Sequence, residues 1–203
     1  MGILKRKQRY LRLNCNVRTA GFFVAACLAA VLVCRIASAQ SEPNELSEYQ
    51  VKAAFLFNFT KFVEWPEGSF EDPQAPIVVG IIGDDPFGDD LGRIIAGQKV
   101  QGRSLVIRRE RWGDDLRRCH VLFISASEHE RSARILGSVQ SAGVLTVSDT
   151  EGFAEAGGVI EFVIEQNRVR FIVNLDAATQ GRLRMSAKLL ALARVIGHSQ
   201  AER

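Results

Sequence analysis

The aromatic stretch at residues 49–66, YQVKAAFLFNFTKFVEWP, constrains the fold more than any other part of the chain. At 100° per residue its apolar side chains fall in one broad arc, which is the pattern of an amphipathic helix. That arc contains Tyr49, Val51, Phe55, Leu56, Phe59, Phe62 and Val63. We predict a helix over about residues 46–63, ended by Pro66, with Phe55, Phe59 and Trp65 as structural residues of the core.

Two residues of this stretch do not fit the helical arc. Lys52 interrupts the apolar side, where its alkyl stem can lie along apolar surface while its ammonium group stays in water. Phe57 falls among the polar residues of the opposite side. Alternation of Phe55, Phe57 and Phe59 would suit a strand, but the alanines at 53–54 favour the helix.

The N-terminus has the three parts of a secretory signal peptide. Residues 1–18 carry six basic side chains and no acid, residues 20–34 are a 15-residue apolar run, and residues 37–39 (Ala-Ser-Ala) fit a cleavage site. We therefore predict a signal peptide over residues 1–39, a mature chain that begins at Gln40, and export from the cytoplasm. The apolar run is shorter than the roughly 20 residues that span a bilayer, so an uncleaved anchor is the less favoured alternative.

Removal of this segment reverses the sign of the net charge. The whole chain is +3, but residues 1–39 hold seven basic side chains and no acid, so the mature chain has 19 basic and 23 acidic side chains and a net charge of −4. That balance argues against a nucleic-acid partner.

Three of the four cysteines also lie in residues 1–39, which leaves Cys119 with no internal disulfide partner. Because Cys119 opens an apolar run, we predict that it is structural and buried.

The order of apolar runs after the aromatic stretch predicts the fold class. Continuous apolar runs at residues 77–82, 121–124 and 144–147 are typical of strands buried on both faces of a parallel sheet. Further elements are predicted as a helix from Asp85 to about Ala96, a strand at 99–108, a helix at 128–140 capped by Ser127, a hairpin of 159–164 and 169–174 turning at Gln166 and Asn167, and a last helix from Ser186 to Gly197.

These elements predict an α/β protein: a single layered domain with a mixed, largely parallel sheet flanked by helices and a C-terminal β-hairpin. The domain covers residues 46–203, after a polar tether at 40–45. Its length suits one domain with a sizeable core.

Residue patterns for catalysis or metal binding are weak. Four acids follow the first apolar strand: Asp84, Asp85, Asp89 and Asp90. Such a cluster could hold Mg²⁺ or Ca²⁺, or form a phosphoreceiver site with Asp149, but helix capping accounts for these acids more simply. The histidines lack metal-ligand spacing. Ser125, Ser127 and His129 could be combined into a catalytic triad, but any chain of this length allows such a combination. We predict no enzyme, no cofactor and no metal.

Four segments carry a resemblance to a known family. Residues 51–66 (VKAAFLFNFTKFVEWP) resemble the signature of the YfiR-like family of secreted bacterial proteins. Weaker similarities are found at residues 119–125 (CHVLFIS), at 157–160 with 167–171, and at 186–195 (SAKLLALARV), so the match covers about residues 46–197.

The resemblance implies a periplasmic, non-enzymatic regulator. Such a protein binds the periplasmic sensor domain of an inner-membrane diguanylate cyclase and represses it, which lowers cyclic-di-GMP. The resemblance further implies that the C-terminal hairpin region makes this contact, here through Phe153, Glu165 and Phe171. The competing interpretation is that both phenylalanines belong to the core. Family members can carry disulfides, and the single Cys119 puts disulfide-based redox control in doubt here.

Two other functional classes stay open at this stage. One is a periplasmic small-ligand-binding module that feeds a membrane receptor such as a histidine kinase. The other is an unrecognised hydrolase. The sequence also leaves a homodimer open, and it predicts no stable insertion into the membrane after cleavage.

Overall fold

The computed structural model describes residues 47–197. The predicted signal peptide and tether lie outside the described residues. The helices are α1 (Glu48–Phe62), α2 (Asp90–Ile95), α3 (Ser132–Val139), α4 (Leu175–Gln180) and α5 (Ala187–Leu190), and Leu116–Arg118 and Ala126–Arg131 are 3₁₀ segments. The strands are β1 (Val63–Glu64), β2 (Ile77–Ile82), β3 (Lys99–Val100), β4 (Arg103–Glu110), β5 (Val121–Ile124), β6 (Leu145–Ser148), β7 (Ile160–Glu165), β8 (Arg168–Asn174), β9 (Arg184–Met185) and β10 (Arg194–Ile196).

Eight of these strands form one mixed sheet in the order β10-β8-β7-β6-β5-β2-β4-β3. The run β4-β2-β5-β6-β7 is parallel throughout, as the continuous apolar strands predicted. Antiparallel pairs add β8 to β7 and β3 to β4, and β10 lies parallel to β8 at the edge. The predicted α/β fold with a mixed, largely parallel sheet and a C-terminal hairpin is therefore confirmed.

The sheet buries a separate apolar core on each face. On the first face, α1, α2, α4 and α5 cover side chains that include Val79, Ile81, Phe123, Val147 and Phe171. On the second face, α3 and the 3₁₀ segment Leu116–Arg118 cover a smaller core that includes Ile82, Leu122, Ile124 and Phe153. Successive strand residues alternate between the two cores, as the pleat requires.

Helix α1 forms where the aromatic pattern predicted it, but it is more deeply buried than a one-sided amphipathic helix. Ser47 closes its N-terminus in a capping box with Gln50. Phe57, predicted on the polar side, is buried, and Lys52 is only 3% exposed, so the prediction that its ammonium group lies in water is wrong. The reason is that α1 packs against α2, α5 and β8 together, which leaves little of its surface for solvent.

Two helix starts and one strand differ from the sequence prediction. Helix α2 begins at Asp90 because the carboxylate of Asp85 instead accepts a hydrogen bond from the Phe87 N–H (2.9 Å), which closes a turn. Ser127 lies inside a 3₁₀ segment and does not cap α3. The strand predicted at 99–108 is divided into β3 and β4 by a tight turn at residues 101–102, both with positive φ.

The C-terminal region confirms the hairpin and corrects the last helix. Gln166 and Asn167 have φ of 51° and 59°, as a two-residue type I′ hairpin turn requires. Ser186 does cap a helix, but α5 has only four residues. The β-branched residues Val195 and Ile196 then form strand β10 beside β8, because the open edge of β8 offers unpaired backbone groups and β-branched residues favour a strand.

Candidate functional site

The structure separates the three residues that the resemblance assigned to partner binding. Phe153 and Phe171 are each 2% exposed, one in the second core and the other in the first. The ring of Phe171 lies 5.1 Å from that of Phe59 and 5.4 Å from that of Phe55. Glu165 is exposed and lies 3.7 Å from the guanidinium of Arg194. The expected exposed aromatic patch is therefore not formed, since both rings complete the packing of the sheet faces.

The loop that carries Phe153 is held in place by buried hydrogen bonds. The carboxylate of Glu161 accepts bonds from the backbone N–H groups of Gly152 (3.1 Å) and Ala154 (2.9 Å). An ideal Cβ at Gly158 would lie 2.1 Å from the Phe153 ring, so only glycine fits beneath it. Exposure of Phe153 would thus require the loop to open against all of these contacts.

The outer half of the hairpin presents a charged surface on the second face of the sheet. Loop 149–158 covers the inner half, but the end near the turn is left open. We call this open area the hairpin-tip surface, and it consists of Glu165, Arg168, Arg170 and Arg194. Ile164 points to the opposite face and is 50% exposed. The surface therefore combines three guanidinium groups with one carboxylate, and the exposed isoleucine lies on the other face of the same hairpin.

The acidic cluster after β2 is engaged in local bonds. Asp85 accepts from Arg109 Nε (2.9 Å), and Asp90 pairs with Arg93 and accepts from Gln50. Residues 47–197 contain no group of three or more His, Cys, Asp or Glu side chains placed to hold a metal ion.

The crevice in which open α/β sheets usually bind ligands is filled. Strand order reverses between β2 and β5, and ligands normally lie beyond the carboxyl ends of such strands. Here the Ser127 hydroxyl accepts a bond from the Asp84 N–H (2.9 Å) and would lie 2.4 Å from a Cβ at Gly83. Within residues 47–197, no side-chain hydrogen bond joins His129 to Ser125 or Ser127, so these three residues do not form a catalytic triad there.

Asp149 belongs to a buried ion network and not to the Asp84–Asp85 cluster. Its Oδ2 accepts from Lys52 Nζ (2.7 Å) and from the Tyr49 hydroxyl (3.0 Å). Burial lowers the pKa of Lys52, but the bonds to Asp149 and Glu48 outweigh burial, and the net pKa is raised. Burial and the adjacent Asp149 charge raise the pKa of Tyr49. The network therefore ties the start of α1 to the end of β6 with Lys52 charged.

His120 fastens the loop after β1 to the sheet as a neutral ring. Its Nδ1 accepts from the Val78 N–H (3.1 Å) and its Nε2 lies 3.0 Å from the Ser69 carbonyl, so Nε2 carries the proton. The ring stacks on Phe70 at 4.2 Å, and Trp65 Nε1 donates to the His120 carbonyl (3.0 Å). Burial, with a smaller effect from the Arg103 charge, lowers the pKa of His120.

We expect His120 to make the protein less stable in mild acid. Below about pH 6.5 the unfolded histidine binds a proton that the folded ring resists, so the free energy of unfolding should fall as the pH drops from about 7 to 5. Urea denaturation over this range measures the slope. His120→Gln should flatten the slope, whereas the exposed His129→Gln should leave it unchanged. An equally steep slope in His120→Gln would contradict this assignment.

Cys119 is buried, as predicted, and within the described residues it is a free thiol. Its Sγ lies 3.4 Å from Glu110 Oε1, and Glu110 in turn pairs with Arg108 (3.1 Å). Burial and the Glu110 charge raise the pKa of Cys119 to about 12. The thiol thus stays protonated at neutral pH and is a poor nucleophile.

These features define an α/β domain whose exposed surfaces suit binding, with its usual ligand crevice closed. A family profile described as YfiR/HmsC-like matches residues 49–194, and the chain belongs to this family. The family is one of periplasmic regulators. Within residues 47–197, none of the helices has the length and apolar character needed to cross a bilayer.

Comparison with solved structures shows the same fold elsewhere. The chain is similar to the crystal structure of a conserved domain protein from Vibrio cholerae O1 biovar El Tor, with a TM-score of 0.51 and 11% sequence identity. The alignment covers 74% of this chain and 60% of that protein, so the present chain spans only part of its length. No curated protein matches the sequence.

Proposed function

We propose that the protein is a periplasmic repressor that binds the sensor domain of an inner-membrane diguanylate cyclase and so lowers cyclic-di-GMP. The observation that carries this proposal is the family match over residues 49–194. The fold supports it, because repression from the periplasm needs a rigid surface and no catalytic group. Repression works by thermodynamic linkage, which means that the repressor must bind the inactive sensor conformation more tightly than the active one.

The hairpin-tip surface is the contact that we assign to this partner. Six cross-strand residue pairs and a type I′ turn hold β7 and β8 rigid up to the turn. Arg168, Arg170 and Arg194 outnumber Glu165 on this surface, although the mature chain is acidic overall. We therefore expect the sensor domain to present carboxylates here. Phe153 and Phe171 support the surface from the core and do not touch the partner in this arrangement.

Charge reversal on the hairpin tip should abolish repression without unfolding the protein. In the native host, deletion of this protein should raise cyclic-di-GMP, and the wild-type chain should restore the low level. The double variant Arg168→Glu/Arg170→Glu should fail to restore it and should bind the sensor domain at least tenfold more weakly, about 1.4 kcal/mol. Thermal denaturation should be close to wild type, since both side chains are exposed.

Lys99→Glu is the matched control for this experiment. Lys99 is an exposed cation on β3, at the opposite edge of the sheet, and its reversal should leave repression intact. Full repression by the hairpin-tip variant would show that the partner binds elsewhere. Unchanged cyclic-di-GMP in the deletion strain would contradict cyclase repression itself and would favour a ligand-binding module that feeds another membrane receptor.

We also propose that export removes residues 1–39. The basic start, the apolar run and the Ala-Ser-Ala site support this cleavage. The protein recovered from the periplasm should then have the mass of a chain that begins at Gln40. Intact-mass spectrometry measures this directly, and a mass that includes residues 1–39 would show an uncleaved anchor instead.

A further inference from the structure

A cleft of about 350 Å³ lies on the second face of the sheet, away from the hairpin tip. Helix α3 packs over β5 and β6 on this face, but β4 has no helix above it, and Val106 is 38% exposed there. The cleft opens between the 3₁₀ segment Leu116–Arg118, the loop at 66–76 and the residues that follow α3. Its size falls in the lower range of small-ligand sites.

Three arginines line this cleft. Arg108 comes from β4, and Arg117 and Arg118 come from the 3₁₀ segment, whereas Glu71 is the only carboxylate among the lining residues. The remaining wall is largely apolar and includes Ala75, Pro76, Val78 and Ala142. The cleft thus offers several guanidinium donors around a small apolar floor.

The arginines differ in how firmly they are held. Arg108 neutralises the buried Glu110 carboxylate at 3.1 Å and is fixed. Arg118 approaches Glu71 only to 3.9 Å, and Glu71 is itself largely exposed. Arg117 is held by two side-chain bonds to Asp115 (2.8 and 3.4 Å) and contributes a fixed charge at the rim of the cleft. A long exposed pair such as that of Arg118 is weak, so Arg118 can turn to an anion at little cost.

We propose that this cleft binds a small organic anion, a carboxylate or phosphate carried on a compact apolar body. Guanidinium groups bind both oxyanions through paired hydrogen bonds, and the apolar floor would take the body of the ligand. The loop at 66–76, which forms one wall of the cleft, is held in place by contacts of its own. The Phe70 ring stacks on His120, and the guanidinium of Arg103 lies 3.8 Å from the centre of the same ring. Arg103 also donates to the carbonyls of Asp72 and Ala75.

Titration of the purified ¹⁵N-labelled protein with phenyl phosphate and with benzoate tests this site. At least one anion should shift the amide signals of Val78, Arg108 and Ala142 with a dissociation constant in the millimolar range or tighter. The relative affinity of the two probes identifies the oxyanion class. Benzylammonium has a similar apolar body and the opposite charge, and it should leave these signals unchanged.

The variant Arg117→Gln/Arg118→Gln should weaken binding of the better anion at least tenfold while the protein stays folded. Arg93→Gln is the matched control, because Arg93 is an exposed, ion-paired arginine on α2 at the first face, and its loss should not change the affinity. Absence of shifts with both anions, equal shifts with benzylammonium, or full affinity in the double variant would each overturn the proposal. The readout uses no membrane partner, so it stands or falls independently of cyclase repression.

Discussion

Replacement of Phe59 by alanine should lower the free energy of unfolding by about 3–5 kcal/mol, the usual cost of truncating a fully buried phenylalanine. Phe59 is 0% exposed and lies at the centre of an aromatic cluster on the first face of the sheet. Its ring centroid is 5.7 Å from that of Phe162 and 5.1 Å from that of Phe171. The variant therefore removes the contacts of Phe59 with both hairpin strands, and urea denaturation should show a much lower midpoint.

Two other substitutions on α1 serve as comparisons for the stability loss expected in Phe59→Ala. Phe55 packs against the same rings but is half-buried, so Phe55→Ala should cost less than Phe59→Ala. Lys61 is exposed at the end of the helix, and Lys61→Ala should change the midpoint little. If Phe59→Ala left the midpoint near wild type, α1 would not anchor the core as its packing indicates.

The sequence predicted those elements whose structure depends on local pattern. Continuous apolar runs identified β2, β5 and β6, because a strand buried on both faces needs no polar alternation. The hairpin was predictable from two strand-like runs around Gln166 and Asn167, of which the asparagine is a residue that adopts positive φ readily. Helix α1 was predictable from its apolar arc, although the arc did not reveal that Phe57 is buried or that Lys52 is buried in a bond to Asp149.

Elements that depend on tertiary pairing were missed. Residues 191–196 have a helical composition, but the edge of β8 recruits Arg194–Ile196 as strand β10. The ladder of β1 with β9 joins Val63–Glu64 to Arg184–Met185 across more than half of the domain, and neither dipeptide signals a strand by itself. Pairing energy between distant segments decides such cases, and local propensity does not record it.

The candidate sites show the same difference between what local sequence pattern predicts and what tertiary contacts decide. The family resemblance implied a partner contact through Phe153, yet Gly158 provides the space that lets its ring enter the core. The arginine-lined cleft collects residues from β4, the 3₁₀ segment, the loop at 66–76 and the end of α3. No spacing along the chain brings these segments together, so only the fold could show the cleft.

Disruption of the pair between Lys52 and Asp149 should destabilise the protein by about 3–5 kcal/mol in Lys52→Met, which leaves Asp149 as a buried charge without a cation, and by less in Asp149→Leu, where Lys52 keeps Glu48. Lys52→Met leaves the Asp149 carboxylate with only the Tyr49 hydroxyl among its bonds to α1, and Asp149→Leu leaves the ammonium of Lys52 with Glu48. Both single variants should show a lower urea midpoint at neutral pH. Glu48→Gln is the control: its side chain is about half exposed (47%), so its loss should cost no more than about 1 kcal/mol.

The double variant Lys52→Met/Asp149→Leu separates pairing from packing. It removes both charges and places apolar side chains in the same buried space, so it should be more stable than either single variant. Recovery of about 2 kcal/mol or more relative to the sum of the single losses would assign the effect to the charges. Additive losses would mean that the two residues stabilise the start of α1 independently, through the packing of the lysine stem and the bond from Tyr49.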